Sequence, residues 1–180
     1  MALSSAGTAG IEIPNRPLEL AAKWLDSTGA GEHGGIYGND RSDDKTPNKV
    51  ASGFFTRHLL REAPDTARMR ESLKHLTGNL PNSQDPNFHY WFFGTLALFQ
   101  SQGEEWQAWN QQLRNALLKL QEKEGKDAGS WPPSGTHHMN GMGRVITTAY
   151  STLSLQAYYR HLQIFQLSRY REEYPPGQEQ

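Results

Sequence analysis

Residues 85–120 read DPNFHYWFFGTLALFQSQGEEWQAWNQQLRNALLKL. The stretch predicts two helices of opposite character, joined at Gln102-Gly103. Asp85-Pro86 is a helix-opening pair, a capping carboxylate followed by a proline whose missing N–H costs nothing in a first turn. The body from Tyr90 to Phe99 is apolar nearly all round, and such a helix must be covered on most sides. A strand would also suit the aromatics, but the run is long and its opening is a helix opening. After the turn, Trp106, Trp109, Leu113, Ala116, Leu117 and Leu120 recur at spacings of three and four. That is the single stripe of an outer helix. Glu104 and Glu105 in its first turn and Lys119 and Lys123 near its end suit the helix dipole, and Gly125 is its predicted stop.

The same alternation extends both ways. Upstream, Thr46-Pro47 opens a helix with apolar residues on most faces (Val50, Ala51, Phe54, Phe55, Leu59, Leu60). Pro64-Asp65 ends it and caps a one-striped helix carrying Met69, Leu73 and Leu76, closed by Gly78. Before these, a helix from Arg16-Pro17 shows Leu18, Ala21, Ala22 and Leu25 on one face. A polar loop from Gly29 to Lys45 follows it. Downstream, a loop from Lys126 to Gly143 leads into a sixth helix, from about Arg144 to Leu167. Val145, Ile146, Ala149, Tyr150, Leu153 and Leu155 are among the apolar residues spread round it. Residues 1–14 read as a flexible lead-in, 15–168 as one helical-repeat domain and 169–180 as a flexible tail. Helices one, three and five are outer, and two, four and six are inner. Long connections lead into each inner helix and short ones lead out. The predicted fold is therefore all-α, three outer–inner helical hairpins with every long loop at one end.

Composition bounds the function. The chain has 180 residues, 18 Lys plus Arg against 19 Asp plus Glu, and no cysteine. A net charge of −1 offers no basic excess for a nucleic-acid backbone. The lack of thiols excludes disulfides, thiolate zinc sites, iron–sulfur clusters and cysteine nucleophiles. The longest apolar run, Phe88 to Phe99, falls well short of the roughly 20 residues of a membrane-spanning helix. The first ten residues lack a basic segment followed by an apolar one, so a soluble, cytoplasmic protein is expected.

Gln121 followed by Gly129-Ser130-Trp131 resembles the Gln…Gly-X-Trp repeat of the terpenoid cyclase and protein prenyltransferase α/α-toroid superfamily. Trp24-Leu25 with Gly34-Gly35-Ile36-Tyr37-Gly38 looks like a degenerate copy. His89 to Leu98 and Gly143 to Ala149 look like starts of its inner helices. The resemblance spans Pro17 to Leu162 and is especially similar to bacterial proteins with prenyltransferase and squalene-oxidase repeats. It implies a partial α/α toroid, half a ring, in which Trp131 clasps neighbouring repeats. The cyclases of the superfamily use an Asp-X-Asp-Asp acid; here Asp40, Asp43 and Asp44 have a different spacing. Its protein prenyltransferases bind zinc through Asp, Cys and His, and this chain has no cysteine.

Six residues are candidates for a ligand site at the long-loop rim and along the inner face: Tyr37, Asp43, Trp91, His137, His138 and Arg144. Helix N-termini gathered at that rim would favour an anionic or polar group, and Arg144 adds a guanidinium there. His137-His138 lacks a flanking acid or thiol to complete a metal site, so no metal and no cofactor are expected. His89 reads as a partly buried, hydrogen-bonded histidine. No serine elbow or phosphate loop is present. The leading expectation is a non-catalytic binding module for a protein partner or a second copy of itself. The alternative is an enzyme or carrier acting on a polyisoprenoid in an aromatic-lined cavity. A hydrolase built on the His137-His138 loop is a weaker third reading.

Overall fold

A computed structural model describes residues 1–39, 46–133 and 143–160. Seven helices occupy the described residues: α1 (Ala2–Thr8), α2 (Asn15–Thr28), α3 (Pro47–Leu59), α4 (Ala67–Thr77), α5 (Phe88–Ser101), α6 (Gly103–Leu120) and α7 (Gly143–Arg160). Two short strands, β1 (Gly29–Ala30) and β2 (Ile36–Tyr37), pair antiparallel, with Gly29 opposite Tyr37 and Ala30 opposite Ile36. The protein is mostly helical, and this small ribbon lies inside the stretch read as a polar loop. None of the described helices is long and apolar enough to cross a membrane.

The six predicted helices are α2 to α7. Residues 2–8, read as lead-in, form the additional helix α1. Two helix starts lie slightly later than predicted, for one reason: the side chain that caps is the one that reaches an orphan N–H. Asn87, not Asp85, caps α5 by accepting from the Tyr90 amide at 3.1 Å. Thr66, not Asp65, caps α4 by accepting from the Met69 amide at 3.3 Å. Thr46 precedes α3 with Pro47 at its first position, but the threonine hydroxyl makes no capping bond. The predicted stop of α6 at Gly125 is also displaced. The helix ends at Leu120 because Gln121 turns extended. The chain then folds back on itself, with Glu122 and Ser130 joined by a backbone bond of 2.9 Å and Gly129 and Glu122 by one of 2.8 Å.

α3, α5 and α7 lie side by side with α5 in the middle, while α4 packs on α3, α6 packs on α5, and α4 touches α6. The first two inner helices are parallel. Asn87 donates to Asn48 at 2.6 Å near their starts. The Phe55 and Phe93 rings meet at 6.4 Å further along, and Ser101 Oγ pairs with His58 Nε2 at 3.2 Å near their ends. α6 runs back along α5, placing Trp106 on Phe99 and Trp109 on Tyr90. Tyr90 also donates its hydroxyl to the Asn79 carbonyl at 2.8 Å, so the end of α4 is held at the start of α5.

Two glycines let the layers close. Gly53 of α3 and Gly94 of α5 each carry an aromatic ring where a Cβ would stand: a Cβ at Gly53 would collide with Tyr37, and one at Gly94 with the Trp109 indole. The core is correspondingly aromatic, with Phe54, Phe88, Trp91, Trp109 and Trp131 all buried. Rings of this size contribute a large share of burial free energy.

α7 departs from expectation. Its buried face is Thr147, Ser151, Ser154 and Ala157, whereas Val145, Ile146 and Leu155 are exposed. Two of these hydroxyls donate to nearby carbonyls. Thr147 donates to the Trp131 carbonyl at 2.6 Å and Ser151 to the Thr147 carbonyl at 2.8 Å. A buried hydroxyl so bonded costs little, and small residues let α7 approach α5 closely. Residues 161–167 of the predicted sixth helix lie outside the described residues.

His58 is fully buried against Phe54, with ring centroids 4.7 Å apart. Burial pushes its pKa down from 6.5 to about 4. The neutral form is therefore the one that folds, while the unfolded chain takes up a proton near pH 6.5. The contribution is complete above pH 6.5 and is lost as pH falls towards 4, by about 3 kcal/mol for a shift of this size. The urea midpoint should drop between pH 7.5 and pH 5, and His58→Phe should flatten that drop. A midpoint with the same pH dependence in both proteins would show that His58 does not carry it.

Candidate functional site

The long-loop ends of the inner helices do gather. The Asn48–Asn87 bond joins the starts of α3 and α5. The start of α7 is tied to the same end through Trp131. The Trp131 indole donates to the Leu117 carbonyl in the last turn of α6 at 2.8 Å, and α6 is antiparallel to α5. Around Trp131 the repeat-like residues make a closed set of bonds. The Trp131 amide donates to Thr148 Oγ1 at 3.1 Å, and Gln121 Nε2 donates to the Gly129 carbonyl at 3.0 Å.

The loop between α2 and α3 is built on a carboxylate. Glu71 of α4 accepts the backbone N–H groups of Glu32 at 2.7 Å, His33 at 3.1 Å and Gly35 at 2.7 Å. Gly31 has φ +84°, and a Cβ there would collide with that same side chain. The turn around the carboxylate thus requires glycine. Ser72 adds a bond to the Gly35 carbonyl at 2.6 Å. These contacts fix β2 and set Tyr37 on Gly53.

Below Tyr37 lies a charge clamp. The buried Arg57 donates to Asp26 of α2 at 2.7 Å and to the Tyr37 hydroxyl at 3.3 Å, and pairs with Glu62 at 3.4 Å. Arg68 shares Asp26 at 2.6 Å. The hydrogen bond from Arg57 is the main force holding the Asp26 carboxyl below its ordinary pKa, and burial pushes the Tyr37 phenol up. One guanidinium thereby ties α2, β2, α3 and the turn into α4 together. A planar fork with five donors suits a buried point of several acceptors.

Beside the clamp, a slot of about 390 Å³ opens between α2 and α3. Ala21, Trp24 and Leu25 form one wall, and Ser52, Gly53 and Thr56 of α3 face it. Tyr37, Gly38 and Asn39 line it from the loop. Asn48, Lys49 and His89 line it from the starts of α3 and α5. This volume sits near the lower end of the roughly 300–1,000 Å³ typical of small-molecule sites. His89 is half-buried between Phe93 and Tyr150. Burial lowers its pKa, so it is neutral near pH 7. The sequence reading expects a hydrogen-bonded histidine; among the described residues its buried Nδ1 has no hydrogen-bond partner.

The three sequence candidates among the described residues, Tyr37, Trp91 and Arg144, do not come together. Tyr37 lines the slot. Trp91 is packed in the core, edge-on to Phe88 at 5.3 Å. Arg144 bonds Ser130 Oγ at 2.9 Å and lies within ion-pair range of Asp127 and Glu122. It braces the 122–130 fold-back onto α7. Asp43, His137 and His138 lie outside the described residues. Among the described residues, no group of three or more His, Asp or Glu could hold a metal ion. Trp24, Asn48, Lys49, Ser52 and His89 of the slot were not picked out as a site. The spacing of Asn48, Lys49, Ser52 and Thr56 along one helix stripe was the available signal, but a polar stripe on a helix reads equally well as a solvated face.

A comparison of the chain with protein-family models, with curated proteins and with solved structures finds no match in any of the three.

Proposed function

We propose that the chain is a non-catalytic helical-repeat binding module, an open part of an α/α toroid, that associates with a second copy of itself or a protein partner through α7. The observation that carries this reading is the outward face of α7. Val145 is 80 % exposed, and Ile146 and Leu155 stand beside water as well. Val145 stands opposite the buried face of α7, with Ile146 and Leu155 on its two flanks, and exposed apolar surface of this kind is what a partner would cover. Support for the toroid plan comes from the two-layer alternation. It comes also from the matching positions of Gly53 and Gly94, each the seventh residue of its helix, and from the Gln121–Gly129–Trp131 clasp.

The test is the mass in solution. The wild-type chain should run as a dimer or larger species by light scattering at high concentration. Val145→Glu, at an exposed position where the fold should be little affected, should shift it to monomer. A wild-type protein that is monomeric and indistinguishable from the variant would count against self-association through this face.

A further inference from the structure

We infer that residues 31–35 form a carboxylate-binding nest whose built-in ligand is Glu71, and that this latch straps β2, and with it Tyr37, onto α3. Four observations lead there. First, the loop spends three backbone donors on one side chain. Glu71 Oε1 accepts from the Glu32 amide at 2.7 Å, and Oε2 accepts from His33 at 3.1 Å and from Gly35 at 2.7 Å. Backbone N–H groups that converge on one point are the geometry by which a main chain binds anions. A charged acceptor makes such bonds stronger than neutral ones. Second, glycine stands where the carboxylate needs it. A Cβ at Gly31 would collide with the Glu71 carboxylate, and one at Gly35 with the Arg68 carbonyl of α4. The loop backbone thus lies directly against α4.

Third, the nest is framed by bonds that do not involve Glu71. β1 and β2 pair on its two sides, Gly29 with Tyr37 and Ala30 with Ile36. Ser72 donates to the Gly35 carbonyl at 2.6 Å. A short connection tied at both ends keeps its amides converging when the side chain is taken away, and a preorganised receptor loses little on binding. Fourth, the latch has a load. Tyr37 ends the strap, is buried, and fills with its ring the place where a Cβ of Gly53 would stand. A carboxylate on α4 therefore positions a ring on α3. Glu32 and His33 are exposed, so a small ion from solution can reach the nest once Glu71 has left it.

Chemical rescue tests this. Glu71→Ala keeps a good helix former in α4 and vacates the nest. It should lower the urea midpoint and move the amide resonances of Glu32, His33 and Gly35 and, through the strap, those of Tyr37 and Gly53. Sodium acetate is then titrated into the full-length variant, with ionic strength held constant by sodium chloride. It should bind saturably, return those resonances towards their wild-type positions and restore about half or more of the lost midpoint, as a ligand of the folded state does. The wild-type chain should not respond, because the tethered carboxylate outcompetes a free one. In Glu71→Gln the side-chain amide fills the same place but turns an NH₂ group towards the loop's own donors. That variant should lose midpoint and gain nothing from acetate. Hydrogen exchange of residues 36–37 should be about tenfold or more faster in both variants than in the wild type. Absence of a saturable acetate response at residues 32, 33 and 35 of Glu71→Ala overturns the nest, as does an equal response in the wild type or in Glu71→Gln. Unmoved Tyr37 and Gly53 resonances overturn the strap. Should Glu71→Ala be unfolded in chloride, its spectrum in acetate decides: refolding supports the nest, and a chain that stays unfolded overturns it.

Discussion

Replacing Trp109 by alanine should lower the stability by about 3–5 kcal/mol, the usual cost of removing a large buried aromatic. The indole is completely buried. It packs edge-on to Tyr90 at 5.3 Å, and its Nε1 donates to Thr95 Oγ1 at 3.0 Å. Its six-membered ring lies where the Cβ of residue 94 would be. Truncation therefore removes apolar burial and opens a cavity in the α5–α6 layer. The site also predicts its own exception to additivity. Gly94→Ala alone drives a methyl group into the indole and should cost about 1–3 kcal/mol by overpacking. In the double variant that methyl fills part of the space the indole vacates. The combined loss should fall below the sum of the two single losses. Chemical denaturation of the four proteins measures this directly; strict additivity would show that Trp109 and Gly94 do not share the contact.

A loss of similar size, about 3–5 kcal/mol, is expected for Trp131→Ala, by a different route. Trp131 is not within a helix; it precedes α7 and is buried between α6 and α7. Its indole N–H donates to the Leu117 carbonyl in the last turn of α6, which also accepts from the Gln121 amide. Its own amide and carbonyl are bonded to Thr148 and Thr147 of α7. The substitution leaves the backbone bonds to α7 possible but deletes the link to α6. The ends of α6 and α7 should come apart more readily than the α3–α5 centre. Hydrogen exchange should accelerate in residues 117–131 and in the first turns of α7 before it does in α5. An unchanged unfolding midpoint would remove Trp131 from the role of clasp. Trp131→Phe, which keeps the ring and loses the N–H, should recover a large part of the loss.

The sequence candidates divide according to how local their signals were. Trp131 was readable because a glycine-punctuated motif after an amphipathic helix is a short-range pattern. Tyr37 was readable as an aromatic at the corresponding place after α2, and it does line the slot. Arg144 was placed at the correct end of the inner helices. Its charge is engaged by Ser130, Asp127 and Glu122 from the fold-back, a loop whose path no local spacing specifies. Trp91 is a candidate on the inner face for which core packing is the stronger reading of an inner-helix aromatic, and the pairing of α5 with α3, α6 and α7 buries it. The capping errors at Asp85 and Asp65 have the same origin: several nearby side chains could cap, and the backbone angle of the entering chain decides between them.

The sequence by itself determined the helical class, the number of main helices and their alternation between all-round and one-striped apolar patterns. Periodicity, Pro and Gly act within a few residues, so those features need no knowledge of distant partners. Tertiary structure alone decided which face α7 buries. Thr147, Ser151 and Ser154 look like a solvent face to any hydropathy reading. They are small enough for α5 to approach, and Thr147 and Ser151 donate to nearby carbonyls. It alone decided the slot as well, since its walls come from Ala21 to Leu25, Tyr37 to Asn39, the α3 stripe and His89. Those segments are brought together by an arginine at position 57 that holds Asp26, Tyr37 and Glu62. A buried cation with partners so far apart along the chain leaves no periodic trace, and its geometry exists only once the helices are in place.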